Sequence, residues 1–265
     1  MAANIPANTW VQTAGGAQSW TVAANWADST VPNPAAGTTM DFSTVNIVAD
    51  TVLSLGANRT AGVWKFGDTS GTETWTVSAG NTITLAGTTP GFEVQSGIIA
   101  QLDCDVAGTA GLTKTDTGRL ILTGASNYTG GTTISEGTLQ IGDDGATGNV
   151  ATGNVINNGT LRFDRTGTLD VPSVISGTGA VTVDCPIGAG TIALSGTNTF
   201  SGAVTINSGA LRITKSAALG TGTKIVKINT GTTGNPQLRL DGSSGNIVVP
   251  ATISYQTGCF AKALL

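Results

Sequence analysis

A five-residue pattern constrains the fold of this chain more than any other feature: a glycine, a small or polar residue, then alternating apolar positions. It reads Gly137-Thr138-Leu139-Gln140-Ile141, Gly159-Thr160-Leu161-Arg162-Phe163 and Gly209-Ala210-Leu211-Arg212-Ile213. Weaker copies are Gly179-Ala180-Val181-Thr182-Val183 and Gly190-Thr191-Ile192-Ala193-Leu194. Upstream, Gly118-Arg119-Leu120-Ile121-Leu122 and Asn81-Thr82-Ile83-Thr84-Leu85 continue the series. The step from Gly118 to Gly137 is 19 residues and that from Gly137 to Gly159 is 22. A longer unit also repeats: residues 122–139 align without a gap on residues 194–211, 72 positions later.

Each copy predicts a short strand with one apolar face and one face carrying Thr, Arg, Gln or Asn. Such a strand is not stable alone, but stacking on a neighbour pairs its backbone and buries its apolar face in a shared column. A step near 20 residues suits one solenoid rung of two or three strands joined by Gly-, Asn- and Ser-rich turns. An antiparallel meander would need only hairpin loops of about two to five residues, so the steady step favours parallel stacking. Glycine is expected at the corners, where positive φ angles are needed. The expected fold is therefore all-β, a right-handed parallel β-helix, or β-solenoid, with a Trp-rich N-terminal cap. Its hand follows from the usual crossover preference.

The opening reads differently. Trp10, Trp20, Trp26, Trp64 and Trp75 all precede residue 80, and Pro32-Asn33-Pro34 interrupts any strand there. Residues 1–50 are expected to cap the open end of the column with their indoles, and residues 51–265 to form one continuous solenoid. An alternative use of Trp10, Trp20 and Trp26 is stacking on sugar rings.

Composition agrees with strands. Hydrophobic residues make up 39% and charged residues 11%, against about 25% charged in an ordinary domain. The net charge of -4 is spread thinly and forms no basic stripe, which argues against nucleic-acid binding. No apolar run approaches the roughly 18 residues of a spanning helix, so membrane insertion by this chain is not expected. The N-terminus lacks the basic and apolar regions of a signal peptide. Cys104, Cys185 and Cys259 lack metal-ligand spacing, and Cys104 and Cys185 read as buried core residues.

The residues offer little chemistry, and no cofactor or metal is expected. The absence of histidine removes Ser-His-Asp and Cys-His catalysis and His-ligated zinc. A polysaccharide-degrading β-helix enzyme would need carboxylates gathered on one face; the candidates are Asp103, Asp105, Asp164, Asp170 and Asp184. Asp103 and Asp105 would share a face if residues 102–106 formed a strand. Asp143-Asp144-Gly145 reads as a polar turn and lacks the nonapeptide repeat of calcium-loaded rolls. Arg162, Arg212 and Arg239 occupy similar sites between apolar residues and are expected to form a sparse outward column. That column solubilises the face or contacts an anionic glycan.

The segment Gly111–Gly142 resembles the passenger-associated transport repeat, also called the autotransporter-associated β-strand repeat. The resemblance rests on Leu120-Ile121-Leu122-Thr123-Gly124, on Asn127-Tyr128-Thr129-Gly130-Gly131-Thr132-Thr133-Ile134 and on Glu136-Gly137-Thr138-Leu139-Gln140-Ile141. A degenerate copy covers 179–214. The opening, from Thr9-Trp10 through Ser19-Trp20 and Ala24-Asn25-Trp26 to Val31-Pro32, resembles the start of large secreted proteins that carry such repeats in Gram-negative bacteria. The resemblance implies a β-helical passenger, secreted or held at the cell surface, often an adhesin and not an enzyme. No translocator barrel follows, and the run Gln256–Leu265 does not finish a rung, so a fragment of a larger passenger or a stand-alone solenoid is expected. The implied partners are a cell-surface or matrix polysaccharide and, by head-to-tail self-association into fibres, further copies of the chain. A carbohydrate-binding module is the alternative.

Overall fold

The period-two alternation becomes parallel strands stacked rung on rung in a computed structural model, which describes residues 7–186, 188–222, 224–229, 235–249 and 251–255. Cys259, the opening Met1–Pro6 and the run Gln256–Leu265 lie outside the described residues. The fold is a parallel β-solenoid with almost no helix. It divides into two compact units, residues 1–132 and 133–265.

In the first unit one sheet stacks Gly16–Ser19, Thr51–Ser54, Thr74–Val77, Ile99–Leu102 and Arg119–Leu122 in parallel. A second stacks Thr39–Phe42, Val63–Phe66, Gly91–Val94 and Leu112–Thr115. A short third sheet pairs Arg59–Ala61, Thr82–Leu85 and Asp105–Ala107. Alternation then builds columns by register alone. Inward, Leu53, Val77, Leu102 and Leu122 stack in one sheet, and Met40, Trp64 and Phe92 in another. Outward, Asp41, Lys65 and Glu93 form a ladder of alternating charge, with Lys65 Nζ 2.9 Å from Glu93 Oε2.

The indoles fill the interior of these first rungs. Trp10, Trp20, Trp26, Trp64 and Trp75 are all fully buried, and Phe42 packs against each of them. Burial leaves each indole N–H needing an acceptor. Trp10, Trp20, Trp26 and Trp75 find backbone carbonyls at 2.8–2.9 Å. The guanidinium of Arg59 covers the Trp20 ring at 5.0 Å from its centroid. This corrects the sugar-stacking expectation for Trp10, Trp20 and Trp26: their ring faces are spent on one another and on the core.

In the second unit Thr138–Ile141, Thr160–Phe163, Ala180–Asp184, Val204–Ser208, Lys224–Ile228 and Ala251–Tyr255 form one parallel sheet. Gly167–Val171, Gly190–Leu194, Ala210–Ile213 and Gln237–Leu240 form another. Val155–Asn157 pairs with Ile175–Ser176. The 72-residue repeat does not keep its face. Thr138–Ile141 stacks on Thr160–Phe163, but its counterpart Ala210–Ile213 stacks on Gly190–Leu194, in the other sheet. The single arginine column splits for the same reason. Arg212 and Arg239 are register partners, whereas Arg162 stands between Gln140 and Thr182. Strands of equal length and alternation fit either face, so the motif alone does not tell which it takes.

The corner glycines serve two purposes. Gly137 and Gly209 adopt φ of 66° and 73°, as the turns require. Gly124 and Gly130 have no such angle and are needed for close approach instead: a Cβ there would stand 2.1 Å from Cys104 O and 2.2 Å from Gly111 N.

Candidate functional site

Arg162 points outward between inward-facing Leu161 and Phe163, and its guanidinium ties three successive rungs together. Nη1 donates to Gln140 Oε1 at 2.8 Å on the preceding rung. Nη2 donates to Asp164 Oδ2 at 2.7 Å and to Asp184 Oδ2 at 2.8 Å on the following rung. Gln140 in turn donates to Gly142 O and Asp143 Oδ1, and Ser208 Oγ donates to Asp184 Oδ1 at 3.3 Å. A charge-assisted fork of this kind is strong where it is shielded, and the Asp164 side chain is only 8% exposed.

Asp164 is the unusual member. Its Oδ1 is buried without a hydrogen-bond donor among the described residues, and the Asp144 carboxyl lies within hydrogen-bonding reach. Burial pushes the Asp164 carboxyl up to about 6; Arg162 opposes the shift, and the neighbouring charges of Asp144 and Asp184 add to it. Asp144, Asp164 and Asp184 are spaced 20 residues apart, one rung each. That period was the signal by which sequence reasoning could have joined Asp144 to the other two.

The other expected groups lie elsewhere. A corner separates Asp103 from Asp105, because the strands end at Leu102 and resume at Asp105. Their shared face is therefore corrected: Asp103 Oδ1 accepts from Gln101 and Thr123, and Asp105 Oδ1 from the amide of Ala125. Asp170 accepts from Ser195 Oγ in the other sheet. Arg212 pairs with Asp241 at 3.3 Å. Among the described residues Arg239 meets neutral partners, Gln237 Oε1 at 2.9 Å and Thr191 Oγ1 at 3.3 Å. Together with Gly167, Gly190 and Asn235 these residues line a groove of about 140 Å³. Cys104 and Cys185 are free and buried, and burial pushes the Cys104 thiol up to about 12. Among the described residues, no carboxylate or thiol group of three or more is arranged to hold a metal ion.

The passenger-associated transport-repeat family matches residues 112–141 and 187–213. These two stretches are similar to passenger-associated transport repeats. The first match takes in the strands Leu112–Thr115, Arg119–Leu122, Thr132–Ile134 and Thr138–Ile141, and the second Gly190–Leu194, Val204–Ser208 and Ala210–Ile213. Each match is thus a run of three or four short strands joined by glycine-rich turns. The chain is also similar to the adhesin BmaC autotransporter of Brucella suis biovar 1 (strain 1330), at 36% identity over 159 residues. That match takes in 52% of this chain but only 4% of the relative's length. No solved structure matches.

Proposed function

We propose that this chain is a structural and adhesive segment of a passenger at the surface of a Gram-negative cell. The observation that carries the reading is the coincidence of the transport repeats with stacked rungs, joined to the 36% identity with an autotransporter adhesin. A parallel ladder pairs its backbone internally and presents Thr, Gln, Lys and Arg outward, which suits a protease-resistant surface element. The reading includes no catalysis: Asp164 and Asp184 share one guanidinium, an arrangement that holds rungs together. It also includes stacking of copies end to end into fibres, since parallel rungs extend by the same backbone pairing. Source cells deleted for the segment encoding this chain should adhere less to abiotic or cell surfaces, and purified chain should compete for that adherence. Unchanged adherence, with no competition by purified chain, would overturn the reading.

The Arg239 groove favours one contact within this function. A guanidinium without a carboxylate among the described residues, beside a floor of glycine backbone, suits an acidic polysaccharide strand. Arg239→Ala should abolish retention of the chain on uronate-containing glycans, whereas Trp26→Phe should leave retention intact. Retention that ignores Arg239 would remove this contact.

A further inference from the structure

We propose that the Asp144–Asp164 carboxyl pair is a proton-operated latch for the surface loop of residues 142–154. The loop leaves the sheet after Ile141 and rejoins it at Val155. Neutral bonds dock it on the next rung: the Asp144 amide donates to Asp164 O at 3.2 Å and the Thr166 amide to Gly145 O at 2.8 Å. Arg165 donates to the carbonyls of Ala146 and Gly148. At the centre of this seam two carboxyls meet. With both ionised, Asp164 Oδ1 is buried without a donor among the described residues and faces a like charge, an arrangement that costs free energy.

One proton resolves both faults. Bound on Asp164 Oδ1, it makes an O–H that donates to the Asp144 carboxylate, while Oδ2 keeps its bond to Arg162. The charged and titratable groups around the pair are few. Arg162 and, through it, Asp184 lie on the sheet side. Asp143 is held by Gln140, Arg165 is turned to loop carbonyls, and the Cys185 thiol is kept neutral by burial. Burial and the two neighbouring carboxylates bring Asp164's titration to about 6, within the range a cell surface meets. The loop is therefore held more tightly in mildly acidic surroundings than at neutrality.

The test is amide hydrogen exchange on the whole chain at about pH 5 and about pH 7.5, corrected for the intrinsic pH dependence of exchange. Protection of the Asp144 and Thr166 amides should rise roughly tenfold at the lower pH, because pH 5 lies about one unit below the Asp164 titration near 6. The Val181 amide, bonded to Ala203 O within the sheet, should not change. Asp164→Asn supplies a permanent donor and should hold the loop protected at both pH values; Asp144→Asn does the same from the other side if the first variant fails to fold. Protection that is unchanged in the native chain, or that rises equally in the asparagine variants, would overturn the latch.

Discussion

Lys114 stands in register with Phe92 at an inward-facing position, a fully buried ammonium beneath a column of Met40, Trp64 and Phe92. Its Nζ donates to the carbonyls of Thr115 and Asp116 at 2.7 and 2.5 Å. The side chain does there what an aromatic does one rung earlier: it fills the column, and its tip also closes a corner. Lys114→Met keeps the stem but leaves these carbonyls short of a donor, at a cost of about 1–3 kcal/mol. Lys114→Ala adds a cavity and should cost more. Urea unfolding of both variants checks this order, and a methionine variant more stable than the native chain would contradict it.

Phe42 is the hub of the aromatic interior, touching the five buried indoles and stacking on Phe66 at 5.2 Å. Phe42→Ala should lower stability by about 3–5 kcal/mol. Intrinsic tryptophan fluorescence should report the loss, because every tryptophan lies in this unit. A drop of under about 1 kcal/mol would mean that the indoles do not share one core.

Lys224 gives a pH dependence of known sign. Burial pushes its ammonium down to about 8, while Nζ donates to Phe200 O at 2.7 Å and lies 3.9 Å from the ring centroid. Between that value and the ordinary 10.5 the unfolded chain binds more protons than the folded one. Stability from this residue therefore rises as pH climbs through that window. Asp164 has the opposite sense: its carboxyl is raised, so its contribution is full below the ordinary 3.8 and is lost as pH rises through about 6. Urea midpoints across pH should show both slopes in the native chain. Lys224→Met should flatten the alkaline one and Asp164→Asn the acidic one.

Gly124→Ala places a methyl 2.1 Å from Cys104 O on the neighbouring rung. Backbone on both sides leaves no flexible partner to yield, so the substitution should cost about 1–3 kcal/mol or more. Gly145→Ala, with no neighbour nearer than 3.8 Å, should be nearly neutral. Equal thermal melting of the two variants would refute the close-approach role.

The solenoid was legible because its strands alternate with period two and its steps hold near one rung. The face each strand takes was not. Leu139 and Leu211 look identical in sequence, yet they stack in different sheets, since nothing local marks a corner as first or second. The same gap split Arg162 from Arg212 and Arg239. The corner between Asp103 and Asp105 is not legible in sequence because Leu102, Cys104 and Val106 continue the apolar alternation straight through it. The site was half visible: Asp164 and Asp184 were candidates, but Arg162 as their common partner needed the register. From sequence the tryptophans fit either a plug or a sugar platform, and their burial decides against the platform.

The most direct test of the surface-passenger account is labelling of intact source cells with antibody against this chain, before and after permeabilisation of the outer membrane. The account predicts full labelling on intact cells, removed by external protease only after prolonged digestion. Labelling that appears only after permeabilisation would contradict it.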